Sequence, residues 1–200
     1  MHKRDIVDIS WSVQNPYILA SVSHDKLAIL WDIRDIKPLY IFIMPSVVTS
    51  ISFCPSNEDF LATGSLDKIT RIWSIKHKTV VDWVEVKDVI SAVSYSLDGE
   101  RLVVGTLKGI IMVFDTTSKL MQIGTIKVKN RFGVFSSGRK VTDIKFITNR
   151  KAILTTCDSR VREIDLTSMT QTAKFKGHKN EEYSLKADMS EDENLIVSPS

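Results

Sequence analysis

The stretch that decides the fold is Leu61-Ala62-Thr63-Gly64-Ser65-Leu66-Asp67-Lys68-Ile69-Thr70-Arg71-Ile72-Trp73. It contains two short runs of β-branched and apolar residues on either side of a turn at Asp67, and Trp73 follows six positions after that turn. Such runs around a tight turn predict a pair of antiparallel strands. The same pattern stands at 19–31 and 102–114, and in a weaker form at 153–164.

Each copy of this pattern is flanked by two further strand patterns. An apolar run that ends in an aromatic residue comes before it, as at 48–53, and an outer strand comes after it, as at 79–84. Four strands in a repeat of roughly 40 residues predict the blade of a β-propeller. We therefore expect an all-β propeller domain over residues 1–200, with repeats at approximately 1–43, 44–85, 86–126 and 127–176 and a partial fifth repeat at 177–200.

The predicted blades do not complete a ring. About four blades and half of a fifth would leave an apolar blade face uncovered at each end, whereas a propeller usually closes on itself. The sequence therefore predicts a fragment of a longer propeller or a truncated product. A small closed propeller, or one completed by self-association through the uncovered faces, is the alternative.

The composition is that of an ordinary soluble domain, with 43% hydrophobic and 26% charged residues. A formal net charge of +3 is too small to indicate nucleic acid as a partner. The longest apolar runs are far too short to span a bilayer, and no signal-type apolar core follows the charged start of the chain. Cys54 and Cys157, the two cysteines, form no Cys-x-x-Cys pair and fit a reducing compartment. We therefore expect a cytoplasmic protein.

Polar residues recur at similar places in several of the repeats. In the first repeat they are His2, Ser21 or Ser23, Asp25 and Trp31. This set resembles WD-repeat proteins, in which the chain runs from His through Ser or Thr to the indole N–H, and the turn Asp accepts from the imidazole. The resemblance covers essentially the whole chain. It implies a structural role, and not a catalytic one, for His2, Asp25, Trp31, Asp67, Trp73, Asp158 and His178.

Three repeats depart from that set. The second has Met44 in the His place, and the fourth has Ile164 in the Trp place. The third has Val86, Lys108 and Phe114 in the His, Asp and Trp places. A blade without the full hydrogen-bond chain is expected to rely more on apolar packing and to be less rigidly specified.

A more specific resemblance is carried by residues 138–144 and 153–162 of the fourth repeat, together with 4–12 and 175–177. These segments resemble the propeller of the family that includes the Rab-binding endosomal WD-repeat protein and its plant and fungal relatives. The resemblance implies a seven-bladed propeller at the C-terminal end of a longer protein. In that family the Rab-binding segment lies upstream of the propeller, so small-GTPase binding is assigned to no residue of this chain.

The connection between the third and fourth repeats, residues 127–140, is the best candidate for a binding segment. It is long, it carries no acidic residue, and it combines basic and aromatic side chains: Lys127, Lys129, Arg131, Phe132, Phe135, Arg139 and Lys140. Such a loop could bind phosphate head groups, an acidic peptide or single-stranded nucleic acid through charge and stacking. The alternative is a solvated loop whose phenylalanines pack against the blade.

Arg160 and Arg162 are further candidates for partner binding. They follow the turn residue Asp158 and, at a spacing of two, emerge on one strand face, where they could hold a partner's carboxylate or phosphate or pair with Asp158 or Asp165.

The sequence shows no nucleophile with a base outside the blade-packing positions, no metal-ligand spacing and no cofactor motif. We therefore expect a non-catalytic scaffold that binds proteins or peptide segments. A membrane adapter that binds anionic lipid or phosphoinositide through 127–140 is the alternative. By family resemblance the expected setting is endosomal or vesicle trafficking, at the cytoplasmic surface of endosomal membranes.

Overall fold

The computed structural model of the chain describes residues 1–128, 138–177, 185–190 and 195–199. Two four-stranded antiparallel sheets come first along the chain. The first sheet contains β1 to β4, which are Ile6–Trp11, Ile18–Ser23, Leu27–Asp32 and Lys37–Ile43. The second contains β5 to β8, which are Val48–Phe53, Phe60–Ser65, Ile69–Ser74 and Thr79–Glu85.

Two more four-stranded sheets and a two-stranded one follow. The third sheet contains β9 to β12, which are Ile90–Tyr95, Arg101–Thr106, Ile110–Asp115 and Met121–Lys127. The fourth contains β13 to β16, which are Val141–Phe146, Lys151–Thr156, Arg160–Asp165 and Thr170–Lys176. The last contains β17 and β18, which are Asp188–Met189 and Ile196–Val197. In every four-stranded sheet the strand order follows the chain, as in a propeller blade, so the predicted all-β propeller fold is confirmed.

The first strands of the blades lie together around a central channel, since β1 contacts β5, β5 contacts β9 and β9 contacts β13. Side chains on these strands bond to the next blade. Ser10 Oγ accepts from the N–H of Phe53, and Ser52 Oγ accepts from the N–H of Tyr95, each at 3.2 Å. These bonds join residues 43 positions apart, so they fix the rotation from one blade to the next.

The core is divided among the seams between blades because successive strand residues point to opposite faces. Val103 and Val113 pack against the fourth blade, whereas Leu102 and Val104 pack toward the second. Gly64 permits one close approach at a seam, since a Cβ there would lie 2.3 Å from Ile90 Cγ2. Alternating burial on both faces therefore holds the blades together.

The first blade differs from the others because one of its faces is exposed. Ile6, Ile9 and Trp11 are 57%, 51% and 49% exposed, and they are apolar side chains on its innermost strand. Their counterparts on β5 include Ile51 and Phe53, which are each 4% exposed because the first blade covers them. Strand β5 is thus buried on both faces, whereas β1 leaves an apolar blade face uncovered, as predicted for the first blade.

Candidate functional site

The channel between the innermost strands contains a cavity with polar and charged side chains in its wall. Its volume is about 360 Å³, and every blade contributes to its wall, including Asp8, Ser50, Ser91, Asp143 and Lys186. Side chains from across the chain meet here because each innermost strand directs part of its residues toward the axis. A cavity lined by several separate loops and strands can present groups to one ligand from many directions.

Asp8, Asp143 and Lys186 form a charged cluster in the channel, and Lys140 is a further cation in its wall. Asp8 is buried and accepts from the N–H of Ile51 at 3.0 Å and from Ser50 Oγ at 2.9 Å. Lys186 Nζ donates to Asp8 at 2.5 Å and lies 4.0 Å from Asp143. Burial opposes the charge of this lysine, but the attraction of Asp8 and Asp143 raises the pKa of Lys186 above its usual value.

The second carboxylate is less fully compensated than the first. Burial raises the pKa of Asp143 to about 6, although the positive charge of Lys186 works in the other direction. The Lys186 side chain is 51% exposed, so it is a solvated cation between two partly or fully buried acids. This arrangement can receive another cation if the lysine moves away.

The turn of the first blade contains the complete hydrogen-bond chain. Trp31 Nε1 donates to Ser21 Oγ at 2.8 Å, and Ser21 lies 2.8 Å from His2 Nε2. His2 Nδ1 lies 3.1 Å from Asp25, which also accepts from the N–H groups of Lys3 and Leu27. Burial opposes ionisation of this acid, but those two backbone bonds and His2 lower the pKa of Asp25. The hydroxyl in the chain is therefore Ser21, while Ser23 caps the turn by accepting from the N–H of Asp25.

In the second blade an arginine takes the place of the missing histidine. Arg71 Nη2 donates to Asp67 at 2.7 Å, and Ser65 Oγ also donates to this acid. Burial opposes ionisation, but these bonds lower the pKa of Asp67. Trp73 Nε1 donates to Thr63 Oγ1 at 2.9 Å, so the indole is still satisfied.

The third blade replaces the turn acid from a different segment. Lys108 stands in the Asp place, and its N–H donates to Asp88 at 2.9 Å. Gly109 follows with a φ of 70°, where Lys26 and Lys68 of the first two blades also have positive φ. Glycine adopts this left-handed conformation without strain. The turn is therefore kept although its Asp has been lost.

The fourth blade holds its turn acid with two arginines. Arg160 Nη1 and Arg162 Nη1 each donate to Asp158 at 2.9 Å, and Thr156 Oγ1 donates at 2.6 Å. Burial raises the pKa of this acid, but the bonds from Arg162 and Thr156 hold it at about 2. Arg162 is 1% exposed. The expectation that Arg162 contacts a partner is therefore wrong, because a fully buried guanidinium cannot reach one, and the predicted alternative of pairing with Asp158 is confirmed.

The structure also places part of the predicted binding loop. Lys127 and Arg139 are exposed, and Lys140 lines the channel cavity. Lys129, Arg131, Phe132 and Phe135 lie outside the described residues, as does His178. The described basic residues thus do not form one group, since Lys127 ends the outermost strand of the third blade and only Lys140 lines the channel.

Sequence reasoning missed the channel cluster of Asp8, Asp143 and Lys186. The available signal was an acid within the apolar run that precedes each strand pair, which occurs at the same position of β1 and β13. Across the described ranges, no group of His, Cys, Asp or Glu could hold a metal ion. The same residues include no helix with the length and hydropathy needed to cross a membrane.

Comparison with known proteins agrees with the blades and their turn networks. The family model described as WD domain, G-beta repeat matches residues 1–32 and 36–74. Together with the four-stranded blades, this match identifies a WD-repeat protein. Proteins of this class generally act as non-catalytic scaffolds that bind other proteins or peptides.

Individual relatives extend the similarity over the whole chain. WD repeat-containing protein 44 of Xenopus laevis is 36% identical over 203 residues, which cover 100% of this chain and 22% of that protein. The 2-deoxy-glucose resistant protein 2 of Saccharomyces cerevisiae is 32% identical over 197 residues, covering 88% of this chain and 23% of that protein. An uncharacterized WD repeat-containing protein of Schizosaccharomyces pombe is 33% identical over 115 residues, covering 58% of this chain and 19% of that protein. The chain thus spans about a fifth of the length of the curated relatives it matches.

Proposed function

We propose that this chain is an interaction scaffold that binds a protein segment at the entrance of the central channel. The segment would insert a basic side chain between Asp8 and Asp143. The observation that carries the proposal is the pair of channel acids whose shared cation, Lys186, is half exposed. A guanidinium or ammonium group from a partner can replace that cation without leaving either carboxylate unpaired.

The charge balance favours a basic partner residue over an acidic one. Asp143 lies 4.0 Å from Lys186, beyond hydrogen-bond distance, and its raised pKa reflects burial that this lysine does not fully offset. An entering arginine could donate directly to Asp143 while Asp8 retains its bonds from Ser50 and Ile51. An acidic side chain would meet two carboxylates.

Binding of matched peptides to the purified chain tests the proposal. Fluorescein-labelled Gly/Ser peptides that carry one central arginine are compared with the same peptides carrying neutral citrulline. We expect the arginine peptides to bind more tightly, Asp143→Asn to weaken them by about tenfold or more, and Lys186→Ala to strengthen them. Asp188→Asn is the matched control because Asp188 is 65% exposed at the side chain and pairs with Lys145. Equal binding of both peptides, or an equal loss in the control, contradicts the proposal.

The cellular setting is proposed from family resemblance. The segments of the fourth repeat that resemble the Rab-binding endosomal family support a role in endosomal or vesicle trafficking, at the cytoplasmic surface of endosomal membranes. Imaging of the tagged protein against endosomal and cytosolic markers tests this setting. Uniform cytosolic distribution that is unchanged when vesicle traffic is blocked would contradict it.

A membrane-adapter function is the second candidate, and a basic surface on the fourth blade favours it. Arg160 lies opposite Lys176 in the register of β15 and β16, and Lys174 lies opposite the buried Arg162. Burial, followed by the charges of Arg160 and Arg162, lowers the pKa of Lys174. Exposed Arg139 and Lys176 extend this positive surface toward anionic lipid head groups.

Liposome sedimentation separates this candidate from the first. The chain is expected to bind vesicles that contain phosphoinositide and to ignore neutral vesicles, and the triple change Lys127→Glu, Arg139→Glu and Lys176→Glu should abolish binding. The control changes Lys37, Lys76 and Lys87 to Glu, which are exposed lysines of other blades. Equal retention by neutral and anionic vesicles rules out the adapter function.

A further inference from the structure

An equivalent loop position in the blades can fill the seam between neighbouring blades, and in the third blade a polar residue occupies it. The position is the first residue after the third strand, and its N–H donates to a carbonyl in the loop before the second strand. The four bonds are Ile33 to Tyr17 at 3.0 Å, Ile75 to Asp59 at 2.7 Å, Thr116 to Glu100 at 2.9 Å and Leu166 to Arg150 at 2.7 Å. Because the same backbone bond recurs, these four residues are structurally equivalent.

Two of these equivalent residues fill the seam between their own blade and the preceding blade. Leu166 is 1% exposed and belongs to the core shared by the third and fourth blades. Ile75 packs against the core shared by the first and second blades. An aliphatic side chain at this position is therefore the normal filling of a seam in this protein.

Thr116 does not supply that filling at the seam between the second and third blades. Its side chain is shorter, and its hydroxyl donates to the carbonyl of Gly99 at 2.7 Å. The loop that it begins has five residues, 116–120, whereas the equivalent loops 75–78 and 166–169 have four. The longer loop and the polar side chain leave the seam open.

The open seam is a cavity of about 700 Å³ on the side of the blades opposite the Asp turns. Apolar side chains from both blades line it: Phe60, Ile72 and Val81 from the second, and Tyr95 and Leu120 from the third. Polar residues also line it, namely Ser56, Thr116, Thr117, Ser118 and Lys119 and the acids Asp82 and Glu100. Its size is in the range of natural ligand pockets.

We infer that this cavity binds a large apolar side chain of a partner peptide, inserted where Leu166 and Ile75 insert in the neighbouring seams. The lining apolar groups can remove such a side chain from water, and the surrounding hydroxyls and Lys119 can bond to the peptide backbone beside it. The site lies away from the channel. The inference rests on the proposed scaffold function, because it assigns a second contact for a protein partner.

Selection of displayed random peptides on the purified chain tests the inference. Enriched peptides are synthesised with a fluorescent label and titrated against the wild type, Thr116→Leu and Val81→Trp, which fill the cavity from the third and second blades. Thr167→Leu is the matched control because Thr167 is exposed in the equivalent loop of the fourth blade and does not line the cavity. We expect the peptides to share a large apolar residue and to lose about tenfold or more affinity for both filling variants, but not for the control.

Each outcome separates this site from the channel. Peptides that lose affinity for Asp143→Asn but bind Thr116→Leu normally would overturn the cavity inference and leave the scaffold function standing. Peptides that lose affinity for the control to the same degree, or a library from which nothing is enriched, would also overturn it. Thermal unfolding of Thr116→Leu at or above the wild-type midpoint shows that the variant is folded.

Discussion

The turns of the first and fourth blades perform the same structural task with different chemistry. In the first, His2 and Ser21 link Asp25 to the indole of Trp31. In the fourth, Arg162 clamps Asp158 directly, and Ile164 replaces the tryptophan. What both blades keep is a buried carboxylate with several donors around it, since an unpaired acid in that place would be costly.

The second blade shows how one solution can replace the other. Arg71 stands four residues after Asp67, as Arg162 does after Asp158, and the first blade has buried Ile29 in that place. Met44 stands where the first blade has His2. At these two positions the first blade thus has histidine and isoleucine, and the second blade has methionine and arginine. Either combination supplies one side chain that bonds to the turn acid.

The largest effect is expected when the clamp of the fourth blade is removed. Arg162→Leu leaves Asp158 buried with a weaker set of donors, and loss of one partner of a buried ion pair costs about 3–5 kcal/mol. Chemical denaturation followed by tryptophan fluorescence measures the change. Arg160→Leu is the control, because Arg160 makes a bond to the same acid but its side chain is 24% exposed, and it should cost much less. Equal losses would show that Arg162 is not the principal clamp.

A transplant of the clamp tests the equivalence of the two solutions. His2→Met should cost about 1–3 kcal/mol in the free energy of unfolding, because Asp25 and Ser21 lose a buried partner. Adding Ile29→Arg, which recreates the pair of the second blade, should restore part of that loss. His24→Met is the control at an exposed neighbouring histidine. If the double variant is no more stable than His2→Met, the two clamps are not interchangeable.

Acid should affect the fourth blade through Asp158. The folded-state pKa of about 2 lies below the ordinary value of 3.8, so the folded state binds fewer protons than the unfolded state between these values. This contribution to stability is fully present above pH 4 and is lost as the pH falls toward 2. The difference in unfolding free energy between the wild type and Asp158→Asn should therefore shrink across that window. A difference that is constant with pH would contradict the assignment.

The smallest effect is expected at the indole of the second blade, which combines the arginine clamp with a retained tryptophan. Trp73→Phe removes the bond to Thr63 and some buried volume, and should cost about 1–2 kcal/mol. Phe114 occupies this place in the third blade and is fully buried, so phenylalanine is compatible with the position. Thr63→Val in the same background separates the hydrogen bond from the volume. We expect the double variant to be no less stable than Trp73→Phe, because the indole that bonds to Thr63 is already absent.

Much of the fold followed from short-range patterns in the sequence. The strands around Asp67 and Asp158 could be predicted because a turn and its two strands lie within about a dozen residues and have a recurring polarity. Residue spacing also predicted pairing with Asp158 as one role for Arg160 and Arg162, and the structure shows that pairing. It did not predict which side chain would take the place of the missing histidine in the second blade, because the loss of one donor does not say which other side chain will reach the acid. The expectation that blades without the full hydrogen-bond chain rely more on apolar packing did not take into account that Arg71 bonds to the turn acid of the second blade.

The sequence by itself determined the repeat, the four-stranded blade and the positions of the turn acids, because these depend on contacts between neighbours along the chain. Only the tertiary structure decided that Lys186 meets Asp8 in the channel, since these residues are 178 positions apart and meet through the summed rotation of the blades. It also decided that Thr116 leaves a seam open. Whether a side chain fills a gap depends on the neighbouring blade, and no local pattern describes that neighbour.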